Sequence, residues 1–147
     1  MNGQRTWICS GRKFSRAAAR PVKVLVVDDD SDSADVAVIY LALMGIEARA
    51  NKSSRETLAE FRLFAPDVVL LDINMPDLNG FDVARWLRGS TPAQNTVIVA
   101  YTCEAWEEIE ACAVDAGFDG YFQKASEPAL LVRFLKGYEK AGSVDER

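Results

Sequence analysis

Residues 67–88 read DVVLLDINMPDLNGFDVARWLR. Asp67–Asp72 is a short apolar run between two aspartates, the composition of a strand buried on both faces. Asn79–Arg88 then returns to a helical period. The stretch is therefore a buried strand that ends in a carboxylate, a loop, and a helix.

The same unit recurs on either side of it. Upstream, Lys23–Val27 is a second continuous apolar run, and Asp32–Met44 is a helix that ends at Gly45, a C-cap. Ile46–Ala50 alternates weakly as a short strand. Ser53-Ser54-Arg55-Glu56 reads as a capping box opening a helix whose Leu58, Phe61 and Phe64 or Leu63 face inward, and which stops before Pro66. Downstream, Thr96–Tyr101 is a strand, Glu104–Ala116 a helix capped by Gly117, and Gly120–Gln123 a strand. Ser126, with Pro128 in the first turn, starts a last helix through about Lys140. Five strand–helix units in alternation imply an α/β fold: a doubly wound, five-stranded parallel sheet with helices on both faces.

Composition bounds what such a fold can do. With 147 residues, 49% of them apolar, the chain holds one core. Its longest apolar stretch, Val36–Met44, is far short of the ~20 residues of a membrane span. We expect a soluble, cytoplasmic protein. Residues 1–20 carry Arg5, Arg12, Lys13, Arg16 and Arg20 and no acid, so residues 21–147 sit near −10. A domain that acidic does not bind nucleic acid through its own field. Residues 1–20 read as a flexible basic extension, with Trp7, Ile8 and Cys9 as the apolar residues through which it could dock; the domain spans 21–141 and a tail 142–147. Cys9, Cys103 and Cys112 are odd in number, lack zinc-type spacing and are expected reduced. The chain has no histidine, so any phosphohistidine in its chemistry belongs to a partner.

In open parallel α/β sheets, function gathers at the carboxyl ends of the strands. The first strand ends in Asp28, Asp29 and Asp30, the third in Asp72 followed by Asn74, the fourth in Thr102, and the fifth runs into Lys124. Carboxylates at such range repel by several kcal/mol even at an effective dielectric near ~20, so they need a cation. Mg²⁺ (or Mn²⁺) suits an oxygen-only cluster. With Mg²⁺ and the Lys124 ammonium present, a carboxylate becomes an acceptable nucleophile toward phosphorus.

On VKVLVVDDD (22–30), DVVLLDINMPDLNGFDVARWLR (67–88), VIVAYTCEA (97–105) and AGFDGYFQKA (116–125), the chain resembles the receiver domain of two-component response regulators over roughly residues 21–140. The LLDINMP segment followed by NG is the specific part. The resemblance implies the flavodoxin-like strand order 2-1-3-4-5 and a phosphorelay switch rather than a dedicated enzyme. It makes Asp72 the phosphoacceptor, Asp29 the direct Mg²⁺ ligand, Asp28 a ligand through water, and the Asn74 backbone carbonyl a further ligand. Lys124 pairs with a phosphoryl oxygen, Thr102 hydrogen-bonds another, and Tyr121 turns inward as Thr102 moves. Asn74 and Glu104 tune the return of the phosphoryl group to water, giving a transient signal.

The resemblance also implies a histidine kinase or histidine phosphotransfer protein as donor and a protein as target, with no DNA-binding output. Two positions depart from the pattern: Ala125 stands where the family carries a proline in a cis peptide, and Cys103 where it favours smaller residues, crowding the phosphoryl pocket. A phosphate-independent pseudo-receiver is the alternative they suggest. An aspartyl-phosphate phosphohydrolase is a weaker one, because it generally needs an acid at the position of Asn74. The apolar first helix leaves Val38, Tyr40 or Ala42 as a docking face, and Trp106 protrudes near the switch surface, where a homodimer could form.

Overall fold

The computed structural model of the chain describes residues 5–16, 19–90, 93–124 and 126–141. Six strands are formed: β1 (Thr6–Ile8), β2 (Lys23–Val27), β3 (Glu47–Asn51), β4 (Val68–Leu71), β5 (Val97–Thr102) and β6 (Gly120–Gln123). Five helices connect them: α1 (Ser31–Leu43), α2 (Thr57–Phe64, preceded by a 3₁₀ turn at Ser54–Glu56), α3 (Gly80–Arg88), α4 (Trp106–Ala116) and α5 (Pro128–Lys136). The sheet order is β1-β6-β5-β4-β2-β3. From β2 to β6 all pairs are parallel.

Side-chain alternation divides the core into two layers. Leu25, Val27, Val69, Leu71, Ile98 and Ala100 point to the α2–α3–α4 side and meet Phe61, Phe64, Val83, Leu87 and Ile109. Val24, Val26, Val68, Leu70, Val97 and Val99 point to the α1–α5 side and meet Ala37, Leu41, Leu131 and Leu135. This explains why β2, β4 and β5 carry apolar residues at nearly every position rather than every second one. Gly45 and Gly117, both at positive φ, close α1 and α4.

The expected five-strand sheet gains a sixth, antiparallel strand from the segment expected to be flexible. Thr6, Trp7 and Ile8 pair with Phe122, Tyr121 and Gly120. Beyond β1 the chain runs down the molecule as a strap. The Cys9 amide donates to the Asp119 carbonyl at 2.8 Å, and Phe14 is buried with backbone bonds to Tyr138 and Lys140. Three arginines of this basic segment have carboxylate partners. Arg12 reaches Asp119 at 2.6 Å, Arg16 reaches Glu139 at 2.8 Å, and Arg20 grips both oxygens of Asp67 at 2.8 Å. Buried Asp119 also accepts from the Ser10 hydroxyl, the Ile98 amide and the Arg88 guanidinium. Its burial is thus fully compensated, as a buried carboxylate requires.

Smaller expectations also change. The capping box at Ser53 does not form: Ser53 makes no side-chain cap bond, and the Ser54 hydroxyl instead accepts from the Leu78 amide at 3.2 Å. Leu63 is exposed and Phe64 buried. On α1, Val38 and Tyr40 pack partly against the core, and the exposed apolar residues are Val36, Ile39 and Leu43, with small Ala42 beside them. The Lys124–Ala125 peptide and the tail 142–147 lie outside the described residues. The three cysteines carry no disulfide, and Cys103 is exposed.

Candidate functional site

The chain order places β3 on one side of β2 and β4 on the other, so the connections diverge between β2 and β4 and leave a crevice at their carboxyl ends. Asp28 and Asp29 follow β2, and Asp72 follows β4. Their carboxylate oxygens lie within 4.8 Å of one another, with Asp28 and Asp72 buried and Asp29 exposed. Asp30 does something else. It is the N-cap of α1, accepting from the Asp32 and Ser33 amides at 3.1 and 3.3 Å.

Lys124 Nζ, at the end of β6, stands 2.6 Å from Asp28 Oδ2 and 3.2 Å from Asp72 Oδ2. Lys124 donates a hydrogen bond to Asp72 Oδ2, and its shorter contact with Asp28 Oδ2 is an ion pair. Burial pushes the Asp72 carboxyl up to about 6; Lys124 opposes that rise and the Asp28 charge adds to it. Burial works against the Lys124 charge too, but its two carboxylate contacts outweigh the loss and its pKa is raised. An ammonium therefore stays charged beside a carboxyl that burial makes reluctant to ionise.

The loop after β4 is shaped so that Asp72 faces this crevice. The Asn74 amide donates to Asp72 Oδ1 at 3.2 Å, and the Gly80 amide to the Ile73 carbonyl at 2.9 Å. A Cβ at Gly80 would meet the Asp72 carbonyl oxygen at 2.3 Å, so only glycine lets α3 begin this close to the strand end. Asn79 caps that helix by accepting from the Asp82 amide at 3.0 Å. These contacts are the physical content of the NG pair.

Across the crevice, Thr102 ends β5, buried, and its hydroxyl oxygen accepts from the Glu104 amide at 3.3 Å. Tyr121 is wholly buried, its hydroxyl donating to the Glu104 carbonyl at 2.5 Å. The structure thus brings Asp28, Asp29, Asp72 and Lys124 together, with Thr102 and Tyr121 joined through Glu104 on the adjoining strands. Asn74 is exposed and Glu104 half-buried at the edge. Three carboxylates meet a single ammonium, leaving an all-oxygen set with excess negative charge that fits a hard divalent cation.

Trp106 escaped the sequence reading as a contact. Rather than protruding, it is buried, 5.4 Å from the Tyr121 ring and 5.8 Å from the Trp7 ring. The one signal for this was a tryptophan inside an otherwise basic segment.

The fold is shared with known proteins. The chain is 28% identical to the chemotaxis response regulator CheY4 of Vibrio cholerae, whose structure superposes with a TM-score of 0.77 over 80% of this chain and 98% of that one. A CheY-like receiver domain protein of Methanospirillum hungatei gives 26% identity and a TM-score of 0.72 over 80% and 92%. Among sequences, the DNA-binding response regulator MtrA of Mycolicibacterium paratuberculosis is 33% identical over 110 residues, 75% of this chain. A 14.6 kDa uncharacterized protein of Leptolyngbya boryana is 29% identical over 115 residues. The chain spans about half of MtrA's length, 48%, but 88% of the Leptolyngbya protein's. The model of the response regulator receiver domain matches residues 24–136, from the first core strand to the end of α5. The chain therefore belongs to the response regulator receiver domain family.

Proposed function

We propose that the chain is a phosphorylation-dependent signalling switch, carried by residues 21–141, in which Asp72 accepts a phosphoryl group from a phosphohistidine of a partner kinase or phosphotransfer protein. The observation that carries this reading is the Lys124 ammonium set between the Asp28 and Asp72 carboxylates, with Asp29 beside them. The chain carries no histidine, which fits a donor imidazole supplied from outside it.

An Asp72 carboxylate oxygen attacks phosphorus in line. The new P–O bond forms as the partner's P–N bond breaks, and the leaving imidazole takes up a proton. Lys124 pairs with one equatorial oxygen and the Thr102 hydroxyl donates to another. Asp28, Asp29, Asp72 and the Asn74 carbonyl would hold Mg²⁺, which supplies charge neutralisation of the phosphoryl oxygens. Asn74 and Glu104 flank the path of the water that later cleaves the acylphosphate. The signal leaves by protein–protein contact through the α4–β6–α5 face, and a cytoplasmic setting suits such a donor.

The test is intact mass after incubation with acetyl phosphate and Mg²⁺, beside Asp72→Asn. One Mg²⁺-dependent phosphoryl adduct, absent from the variant, is the expected result. No adduct, under conditions where another receiver domain labels, would replace this reading with a phosphate-independent binding module.

A further inference from the structure

Residues 5–16 form a strap across the face through which the proposed switch speaks, and the strap touches the switch residue's own packing. In the β1–β6 ladder Trp7 lies directly opposite Tyr121. Directly paired residues project from the same face of a sheet. The Trp7 ring is stacked on Trp106 at 5.8 Å with an interplanar angle of 22°, and Trp106 lies 5.4 Å from the Tyr121 ring. Trp106 is 3% exposed and Tyr121 0%, while Trp7 is 41% exposed. The stack is therefore a lid whose outer plate belongs to the strap. Beneath it, Tyr121 lies inward with its hydroxyl on the Glu104 carbonyl.

The strap does not depend on this stack for its hold. Its anchors are the Asp119 cluster with Ser10 and Arg12, and Phe14 buried beside Tyr138. With those in place, β1 stays paired with β6 and presents Trp7 to Trp106 from an anchored backbone. An outward swing of Tyr121 has to displace Trp106 and break the Trp7 stack, whereas the inward position keeps both.

We propose that Trp7 is a positioning residue for the switch: acting through Trp106, it holds Tyr121 inward, so that docking of the strap and phosphorylation of Asp72 favour each other. The inference rests on the reading of Asp72 as phosphoacceptor and Tyr121 as its switch. A segment that prefers one of two states shifts the equilibrium toward that state, and the coupling is reciprocal. The strap thereby acts as an intramolecular ligand of the inward state. It also occupies the β6 edge, so a partner that pairs with that edge has to displace it.

The experiment is a coupling cycle on the full chain, reading the affinity for beryllofluoride, a phosphoryl mimic, by calorimetry in Mg²⁺. Trp7→Ala is expected to weaken binding about 3- to 10-fold, the range for losing one aromatic pair. Trp7→Phe, which keeps a ring, should restore most of it. In a Tyr121→Ala background, Trp7→Ala should have no effect. An unchanged or tighter affinity in Trp7→Ala overturns the proposal, as does an equal loss in the Tyr121→Ala background, which would make the role merely structural. If the unaltered chain neither binds beryllofluoride nor labels with acetyl phosphate, the phosphoacceptor reading is what has failed, and the inference falls with it.

Discussion

In metal-free protein, Asp72→Asn should raise stability at neutral pH and leave it unchanged in acid. Burial lifts the folded-state pKa of Asp72 from 3.8 to about 6. The folded state thus binds this proton more tightly than the unfolded state does. Well below pH 4 both states are protonated and the residue is neutral in its effect; at pH 4 itself, with the unfolded carboxyl already partly ionised, about 0.5 kcal/mol of the penalty remains. Between pH 4 and 6 the penalty grows, and above pH 6 it is complete, at up to about 3 kcal/mol for a shift of roughly two units. Asparagine keeps the size and removes the charge, but it weakens the hydrogen bonds from Lys124 and the Asn74 amide. A net gain of about 1–2 kcal/mol at pH 7.5 remains, which for a chain of this size is a rise in Tm of roughly 3–8 °C. Thermal melts in chelator at pH 7.5 and pH 4 test this directly. Mg²⁺ should then stabilise the unaltered chain more than the variant. A loss of stability in the asparagine variant at pH 7.5, or a gain as large at pH 4 as at pH 7.5, would refute the account of a strained carboxyl.

Two further substitutions probe how the crevice and the strap are built. Gly80→Ala puts a methyl 2.3 Å from the Asp72 carbonyl oxygen, where backbone has to move; a loss of about 1–3 kcal/mol by urea unfolding, with slower labelling of Asp72, is expected. Asp119→Ala leaves the half-buried Arg88 guanidinium and the buried Ile98 amide without their carboxylate. It should cost about 3–5 kcal/mol and raise proteolysis within residues 5–16, and protection as strong as in the unaltered chain would count against the strap's anchoring.

How much of this could be read from the sequence follows from the range of each signal. Strands Lys23–Val27, Val68–Leu71 and Val97–Thr102 announce themselves because burial on both faces demands apolar residues without interruption. The candidate site residues were legible for a related reason: Asp28, Asp72 and Thr102 sit where such a run stops, and parallel strands bring their ends, with Lys124 after β6, to one rim. β1 carried no such signal. Three residues are too few to show a period, and the arginines after it find Asp119, Glu139 and Asp67 more than forty residues away in sequence. The same distance hid the use of Ser54, whose hydroxyl answers Leu78 rather than its own helix. On α1 the composition showed that apolar residues would be left over. Which ones, Val36, Ile39 and Leu43, depended on the rotation at which α1 meets β2 and α5.

The antiparallel run of β1 gives the molecule a front and a back for anything attached to it. Arg5 accepts the amide of Gln123, the residue before Lys124, so the described fold is entered on the reactive rim. Lys140 donates to Phe14 near Pro66 and Asn95, at the opposite rim. A fluorophore fixed at Arg5 would stand beside the candidate site, where the proposed donor would approach, and would report on its arrival or obstruct it. The same group at Lys140 would ride on the far side, blind to the chemistry and harmless to it.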